Sequence, residues 1–109
     1  MAEVVTIDDF AKLDMRVAEI KSAERVPNTE RLLKFKIDVG GETREIVAGI
    51  AEHYACEELV GKKIIVLTNL EPRTIRGVKS NGMLLAAQHN GKLSLLTVDR
   101  EIENGAKVG

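Results

Sequence analysis

The chain has 109 residues, and 16 Lys or Arg against 17 Asp or Glu give it a net charge of −1. This length supports one domain with a single core, and no apolar run reaches the roughly 18 residues of a membrane-spanning helix. The near-neutral balance excludes binding of nucleic acid through a global positive field, so any anion site must be a local patch.

The first predicted element is a short helix that begins at Thr6. Asp9 lies three residues further on, which resembles a capping box with Asp in place of Glu. Residues 15–26 then predict a strand, but its apolar phase slips between Val17 and Ala18. Such a slip indicates a bulge or a sharp bend, as small barrels need where one strand serves two sides.

Two further strands follow, joined by a tight turn. After a turn at residues 27–29, apolar and charged side chains alternate strictly over residues 33–39, which predicts a half-buried strand. Gly40-Gly41 is a two-residue hairpin signal. The return strand occupies residues 42–50.

The second half of the chain predicts one helix and three more strand segments. Residues 51–60 carry an apolar stripe at helical spacing and end at Gly61. The fourth strand, the fifth strand and a return strand after the Asn90-Gly91 turn lie at residues 62–70, 82–88 and 92–98. Five main strands with a helix between the third and fourth match the all-β OB-fold, a partly open five-stranded Greek-key barrel.

The tail, residues 95–109, exceeds what five strands require. It is too apolar for a frayed end, since it contains Leu95, Leu96, Val98, Ile102 and Val108. The residues alone leave two interpretations equally open. The tail covers the open side of the barrel, or it forms an interface with another subunit.

The segment between the fourth and fifth strands concentrates positive charge. Arg73, Arg76 and Lys79 lie there against one acid, Glu71. Pro72 ends strand pairing, because proline has no backbone N–H to donate. The neutral hydrogen-bonding side chains around the cations are those of Asn69, Ser80 and Asn81. A cationic loop between two core strands can hold phosphates, although composition alone favours an ordinary solvated loop.

The same segment carries the pattern N-L-x-P-x-x-x-x-G-x-x-S-x-G-M over residues 69–83. This pattern resembles the tRNA-binding domain that occurs as a free-standing protein, as an appendage of methionyl-tRNA synthetases, and in eukaryotic synthetase-associated cofactors. The resemblance covers nearly the whole chain. It continues through residues 8–10, 13–17, 47–50 and 104–109.

The resemblance implies one tRNA-binding OB-fold domain over residues 1–109, with a homodimer interface in the tail. It implies that tRNA is recognised by its folded shape, and that the domain assists a synthetase, with methionyl-tRNA synthetase the first candidate. At Thr74 this chain departs from the family, where Lys is common. The expected tRNA-binding residues are Arg16, Arg31, Lys34, Asn69, Arg73, Arg76, Lys79, Ser80, Asn81 and Met83.

No catalytic or metal site stands out in the sequence. His53 and Cys56 lie three residues apart and His89 is distant, whereas a zinc site needs four ligands at suitable spacing. No serine or cysteine has the base and orienting group that a nucleophile requires. We therefore expect a protein that is not an enzyme and has no cofactor. The single cysteine and an N-terminus without a signal peptide favour the cytoplasm.

Aromatic side chains are scarce, namely Phe10, Phe35 and Tyr54. Single-strand binders stack bases on aromatic side chains, so this chain should recognise RNA through phosphates and 2′-hydroxyls, with weak sequence preference. The alternative is a chaperone-like binder of unfolded polypeptides, because a secretion-associated branch of the same family has similar length and ends. The basic loop favours RNA.

Overall fold

The computed structural model describes residues 2–109, and its longest strand is shared between two sides of a barrel. This strand, β1 (Met15–Arg25), pairs antiparallel with β4 (Lys63–Leu67) through its first half and with β2 (Leu33–Asp38) through its second. The register of the β1–β2 pair shifts between Ile20 and Ser22. A bulge at that point lets the strand bend from one side to the other.

The bend therefore lies beyond the expected place between Val17 and Ala18. Ala18 belongs to the core cluster, and Val17 is buried on the opposite face, at 3% exposure. Neighbouring residues on both faces are apolar here because both faces are covered, and the backbone is regular. Burial on two sides thus produced the pattern that we attributed to a bulge.

The remaining strands complete the barrel and add two hairpins. Their bounds are β3 (Thr43–Ala48), β5 (Arg73–Ile75), β6 (Val78–Ser80), β7 (Met83–Leu84), β8 (Ala86–His89), β9 (Lys92–Leu95) and β10 (Lys107–Val108). The main sheet has the order β3-β2-β1-β4-β7, and β10 pairs with the beginning of β1. The pairs β5–β6 and β8–β9 form separate two-stranded hairpins. This nearly closed all-β barrel confirms the expected fold class.

Both helices are short, and the first starts as predicted. In α1 (Ile7–Ala11) the Thr6 hydroxyl accepts a hydrogen bond from the Asp9 amide at 3.1 Å. The helix expected over residues 51–60 was too long, because only α2 (Cys56–Leu59) is helical. Residues 51–53 form a turn, and the backbone at Ala55 is extended. No helix in residues 2–109 is long and apolar enough to cross a membrane.

The core is aliphatic with one aromatic ring. Each fully buried apolar side chain contributes about 1.5–3 kcal/mol relative to exposure. Strands β1 to β4 and α2 supply the largest fully buried side chains, which are Phe35, Ile20, Leu33, Ile37, Ile46, Leu59, Ile64 and Val66. The strict alternation in β2 therefore identified the core face correctly.

Hydrogen bonds from one short segment close the barrel between β3 and β6. The Ser80 hydroxyl accepts from the amide of Val47 at 2.9 Å and donates to the Gly82 carbonyl at 3.2 Å. The next amide, of Asn81, donates to the Glu45 carbonyl at 2.8 Å. Ser80 is only 3% exposed. A side chain thus replaces a missing strand-to-strand hydrogen bond.

Gly82 is the turn that brings this segment against the core. Its φ of 134° lies in the range that favours glycine. A β-carbon there would stand 3.2 Å from Cγ1 of Val66 and 3.3 Å from the carbonyl oxygen of Leu67. At these distances any other residue would require Val66 or the β4 backbone to shift by a few tenths of an ångström.

The tail covers part of the barrel. Leu95 is 9% exposed and belongs to the core cluster, and Val108 pairs with Met15 of β1. Leu95 therefore packs within the subunit, as a covering tail requires, and Val108 adds its backbone to the sheet. The assignment of these two residues to a dimer interface stays a prediction. Leu96 and Ile102 remain exposed, at 40% and 46%.

A buried amide fastens the tail to the barrel. Nδ2 of Asn104 donates to Glu19 at 3.1 Å and to Asp38 at 3.3 Å. The Asn104 hydrogen bond holds the pKa of Glu19 below its ordinary value. The backbone amide of Gly41, with help from Asn104, does the same for the pKa of Asp38. Both carboxylates therefore stay ionised at neutral pH and keep accepting these bonds.

We predict that Ser80→Ala lowers the free energy of unfolding by about 1–3 kcal/mol, because it leaves the Val47 amide buried without an acceptor. Urea denaturation of the wild type and the variant measures the change. Ser22→Ala is the matched control, since Ser22 is an exposed strand residue, and it should change stability by less than about 0.5 kcal/mol. Equal effects of the two substitutions would contradict the role of Ser80 in closing the barrel.

Candidate nucleic-acid interface

The cationic segment forms a β-hairpin, not the loop that we expected. Strands β5 and β6 pair through Arg73↔Ser80, Thr74↔Lys79 and Ile75↔Val78. The two-residue turn between them consists of Arg76 and Gly77, both with positive φ, at 52° and 81°. These values match the turn type that joins two-residue hairpins. The cations are therefore held on a regular scaffold.

Opposite residues in an antiparallel pair share a face, so the two faces of this hairpin differ. Ile75 and Val78 are half-buried on one face, whereas Thr74 and Lys79 are exposed on the other. Lys79 stands directly across the hairpin from Thr74. The exposed face of the hairpin therefore carries the charge of Lys79, and the half-buried face is apolar.

A groove of 590 Å³ separates the hairpin tip from the loop that joins β1 to β2. Arg31 lines it from the loop and Arg76 from the hairpin. These are the two loops that OB-folds use, with the face of strands two and three, to bind oligonucleotides. The fold brings together two cations that are 45 residues apart in the sequence. Residues 28–30 also line the groove, and we had not singled them out as site residues. Glu30 is acidic, so it offsets part of the positive charge of the two arginines.

A second concavity of 430 Å³ continues from the first, since Leu32 and Ile75 line both. Its walls are mainly aliphatic, and Arg73 and Met83 lie at its border. Met83 is 38% exposed. The groove therefore passes from a cationic end to an apolar end, and neither end has an aromatic lining.

The hairpin cations differ from most others in having no acidic partner. Nine of the 16 Lys and Arg side chains form ion pairs with carboxylates. In the part of the chain that the structure describes, the seven without such a partner are Arg25, Lys36, Lys62, Arg73, Arg76, Lys79 and Lys92. Three of these seven lie on one hairpin, so positive potential is concentrated there despite the net charge of −1.

Two other expected contacts are paired within the protein. Arg31 forms an exposed ion pair with Glu52 at 3.2 Å, which a phosphate can replace. Lys34 lies between Glu24 at 3.5 Å and Glu45 at 3.7 Å, on the outer surface of β2. Its charge is balanced twice, so it contributes little to a positive surface.

Asn69 and Arg16 connect structural elements. The Asn69 side chain accepts from the Asp14 amide at 2.9 Å and donates to the Lys12 carbonyl at 2.6 Å. Arg16 donates to Asp14 at 2.8 Å and to a tail carbonyl. Burial raises the pKa of Asp14, but hydrogen bonds from Arg16 and Thr68 outweigh it, so that the pKa lies below its ordinary value. Both hydrogen bonds of the Asn69 side chain thus lie within the protein, where they connect the segment after β4 to the segment before β1.

Ser80 and Asn81 occupy different positions relative to solvent. The Ser80 hydroxyl is buried and bonded to Val47 and Gly82. It does not face an RNA ligand, which corrects its assignment as a contact. Asn81 is half-buried, and among residues 2–109 only its backbone amide has a hydrogen bond. Its side-chain amide can therefore still bind a ligand.

His53 and His89 line one shallow concavity of 320 Å³ beside the β8–β9 turn. Cys56 belongs to α2 and packs against the core. Within residues 2–109, no three His, Cys, Asp or Glu side chains cluster as a metal would require. The geometry thus offers a polar cationic groove and no preformed metal centre in the described part of the chain.

Known proteins resemble this chain over most of its length. A family model described as "Putative tRNA binding domain" matches residues 15–107. The chain is 59% identical over 104 residues to a methionine–tRNA ligase of Thermotoga maritima, covering 95% of this chain and 16% of that protein. It is 53% identical over 106 residues to the ligase of Caldanaerobacter subterraneus subsp. tengcongensis, covering 97% and 17%. The chain thus spans about a sixth of the length of these relatives.

Solved structures share the whole fold. A MetRS-related protein from Pyrococcus horikoshii superposes with a TM-score of 0.94 at 42% identity, over 99% of this chain and 100% of that one. A CsaA chaperone protein from Picrophilus torridus superposes with a TM-score of 0.90 at 32% identity, over 97% and 100%. With the family model matched from β1 to β10, the chain belongs to the putative tRNA binding domain family.

Proposed function

We propose that this chain binds tRNA through the groove between the β1–β2 loop and the β5–β6 hairpin. The observation that carries the proposal is the group of unpaired cations on that hairpin, in a domain of a tRNA-binding family. Cations without a carboxylate partner are available for phosphate contacts. Arg73 and Arg76 supply such contacts in the groove, and Lys79 supplies one on the outer face of the same hairpin. Arg31 joins them by exchanging its exposed ion pair with Glu52 for a phosphate, and Asn81 reaches a 2′-hydroxyl or a backbone oxygen.

Recognition depends on the shape of the RNA more than on its base sequence. Phe35 is fully buried, and the hydroxyl of Tyr54 is bonded to the Leu95 amide at 3.1 Å. Neither ring is available as a stacking platform, and Phe10 lies on α1 away from the groove lining. Phosphate contacts position an RNA without reading its sequence, so different tRNAs bind alike.

The chain acts as a homodimer in this proposal. Its support is apolar surface at both ends of the described chain, where α1 buries no residue and Val4, Ile7, Leu96 and Ile102 are exposed. Val98 is half-buried beside them in the sequence. Leu95 and Val108 stabilise the tail within one subunit. A two-fold dimer presents two hairpins to one tRNA.

The physiological role is to raise the local concentration of tRNA for an aminoacyl-tRNA synthetase in the cytoplasm. Support comes from the methionine–tRNA ligases that contain a similar segment. The binding module itself performs no reaction and needs no cofactor. A synthetase joined to it or bound to it gains affinity by holding the tRNA at a second point.

A second candidate function is binding of unfolded polypeptides. Its support is the likeness to CsaA chaperone proteins and the aliphatic concavity beside Met83. An apolar groove without specific polar groups can accept varied hydrophobic side chains. We favour tRNA, because the unpaired cations border the same groove.

The first test compares ligands on one sample of protein. Folded tRNA should bind more tightly than an unstructured RNA of equal length and than a reduced, unfolded polypeptide, because the groove offers phosphate contacts without stacking groups. Competition against labelled tRNA at constant salt measures the order. Displacement by the unstructured RNA at equal concentration would contradict shape recognition, and preference for the polypeptide would support the chaperone function.

The second test is the salt dependence of tRNA binding. Three hairpin cations per subunit, doubled in a dimer, should give a slope of log affinity against log salt near about −5, and one hairpin alone about −2 to −3. Arg73→Ala, which removes a cation at the border of the groove, should reduce the steepness by about one unit for each hairpin in contact. Lys62→Ala is the matched control, since Lys62 is also exposed and unpaired but lies away from the groove lining. Equal effects of the two substitutions would exclude the hairpin as the site.

The third test concerns the dimer. Ile102→Glu should convert the protein to a monomer, because the substitution places a charge in the proposed interface, and tRNA affinity and salt slope should both fall. Val60→Glu is the control, since Val60 is similarly exposed, at 53% against 46% for Ile102. Mass in solution and tRNA binding are measured together. A monomeric variant with wild-type affinity and slope would show that each barrel binds tRNA by itself.

A further inference from the structure

Arg76 has an unusual backbone conformation at the tip of the β5–β6 hairpin. Its φ of 52° is left-handed, and Gly77 follows at 81°. A β-carbon crowds the backbone in this region, so residues other than glycine seldom adopt it. Asparagine and aspartate tolerate it best, which is why Asn-Gly is the preferred pair in such turns. Arginine is a poor choice for turn stability.

The chain uses the preferred residue elsewhere. Among residues 2–109, the other left-handed positions occupied by a side chain larger than glycine are Asn28 and Asn90. Asn90 and Gly91 form the turn of the β8–β9 hairpin, with φ values of 50° and 78°. The same turn geometry thus occurs twice, once with asparagine and once with arginine. The difference cannot come from backbone requirements.

Packing does not account for Arg76 either. The residue is exposed, and no carboxylate of residues 2–109 forms an ion pair with it. It lines the 590 Å³ groove, whose other wall carries Arg31 and one acidic residue, Glu30. Residues in rarely populated conformations are concentrated at functional sites. Because Arg76 lines the groove, its side chain can contact a ligand there.

We propose that Arg76 is retained at the expense of turn stability because it positions one backbone phosphate of the RNA, together with Arg31 on the opposite wall. The inference rests on the proposed tRNA binding and names the ligand group at one point of the groove. The groove volume falls within the range of about 300–1,000 Å³ for ligand sites. Arg31 exchanges its exposed ion pair with Glu52 for the phosphate.

The test separates stability from binding with two reciprocal substitutions. Arg76→Asn should raise the Tm by about 3 °C, because it restores the preferred turn pair. The same variant should weaken binding of unfractionated tRNA by about tenfold, through loss of a charge-assisted hydrogen bond. Asn90→Arg, in the matched hairpin, should lower the Tm by a similar amount and leave tRNA affinity within about twofold, since its turn lies outside this groove.

A double substitution tests the shared phosphate. If Arg31 and Arg76 hold the same group, the loss of affinity in Arg31→Gln/Arg76→Asn should differ by at least about twofold from the product of the two single losses. A multiplicative result would show that the two side chains contact separate phosphates and would overturn the shared position. Circular dichroism melts and filter binding at one salt concentration supply both measurements.

The outcomes distinguish this inference from the proposed function. If the wild-type protein bound no tRNA, both the proposed function and the role of Arg76 in positioning a phosphate would be overturned. A wild type that bound tRNA, with an Arg76→Asn variant of equal affinity, would overturn only the role of Arg76. An Arg76→Asn variant that was less stable than the wild type would overturn the stability cost.

Discussion

The hydrogen bond between the Ser80 hydroxyl and the Val47 amide joins the core of the barrel to the cationic hairpin. On one side lies β3 with the core, and on the other lies the hairpin that carries the cations. The barrel lacks a continuous strand ladder at this point, so a side chain and the neighbouring Asn81 amide complete the closure. The position of the hairpin, and therefore the width of the groove, depends on these bonds.

The positive surface potential is set by which cations have no carboxylate partner. Most cations of this chain are paired, including Arg16 and Lys34. A paired cation adds little to the surface potential, because the adjacent carboxylate cancels its charge and salt screens what remains. The hairpin keeps its charge because its only acidic neighbour in the sequence, Glu71, forms no ion pair in the described part of the chain. A protein with net charge −1 can thus present a local site for phosphates.

Local patterns predicted the fold well and the site only in part. Alternation in β2 and the pairs at residues 40–41 and 90–91 depend on near neighbours, and all three appear in the structure. The partners of Ser80 and Asn69 lie 33 and 55 residues away, so no local pattern could show that these side chains are occupied. The β5–β6 hairpin was missed because each strand has three residues and the turn has Arg instead of Asn. The Arg76-Gly77 pair could still have indicated a two-residue turn, because its glycine favours positive φ.

The pairing of β10 with β1 has a consequence for how the domain can be joined to other proteins. Val108 lies opposite Met15, so the last strand of the fold ends beside the beginning of the first strand. A sequence attached before β1 and one attached after β10 would leave the barrel side by side. Such a domain has the start of its first strand and the end of its last strand next to each other. Attachment at either end would therefore not pull the strands apart, and neither connection would start at the groove between the β1–β2 loop and the β5–β6 hairpin, since no residue before β1 or after β10 lines it.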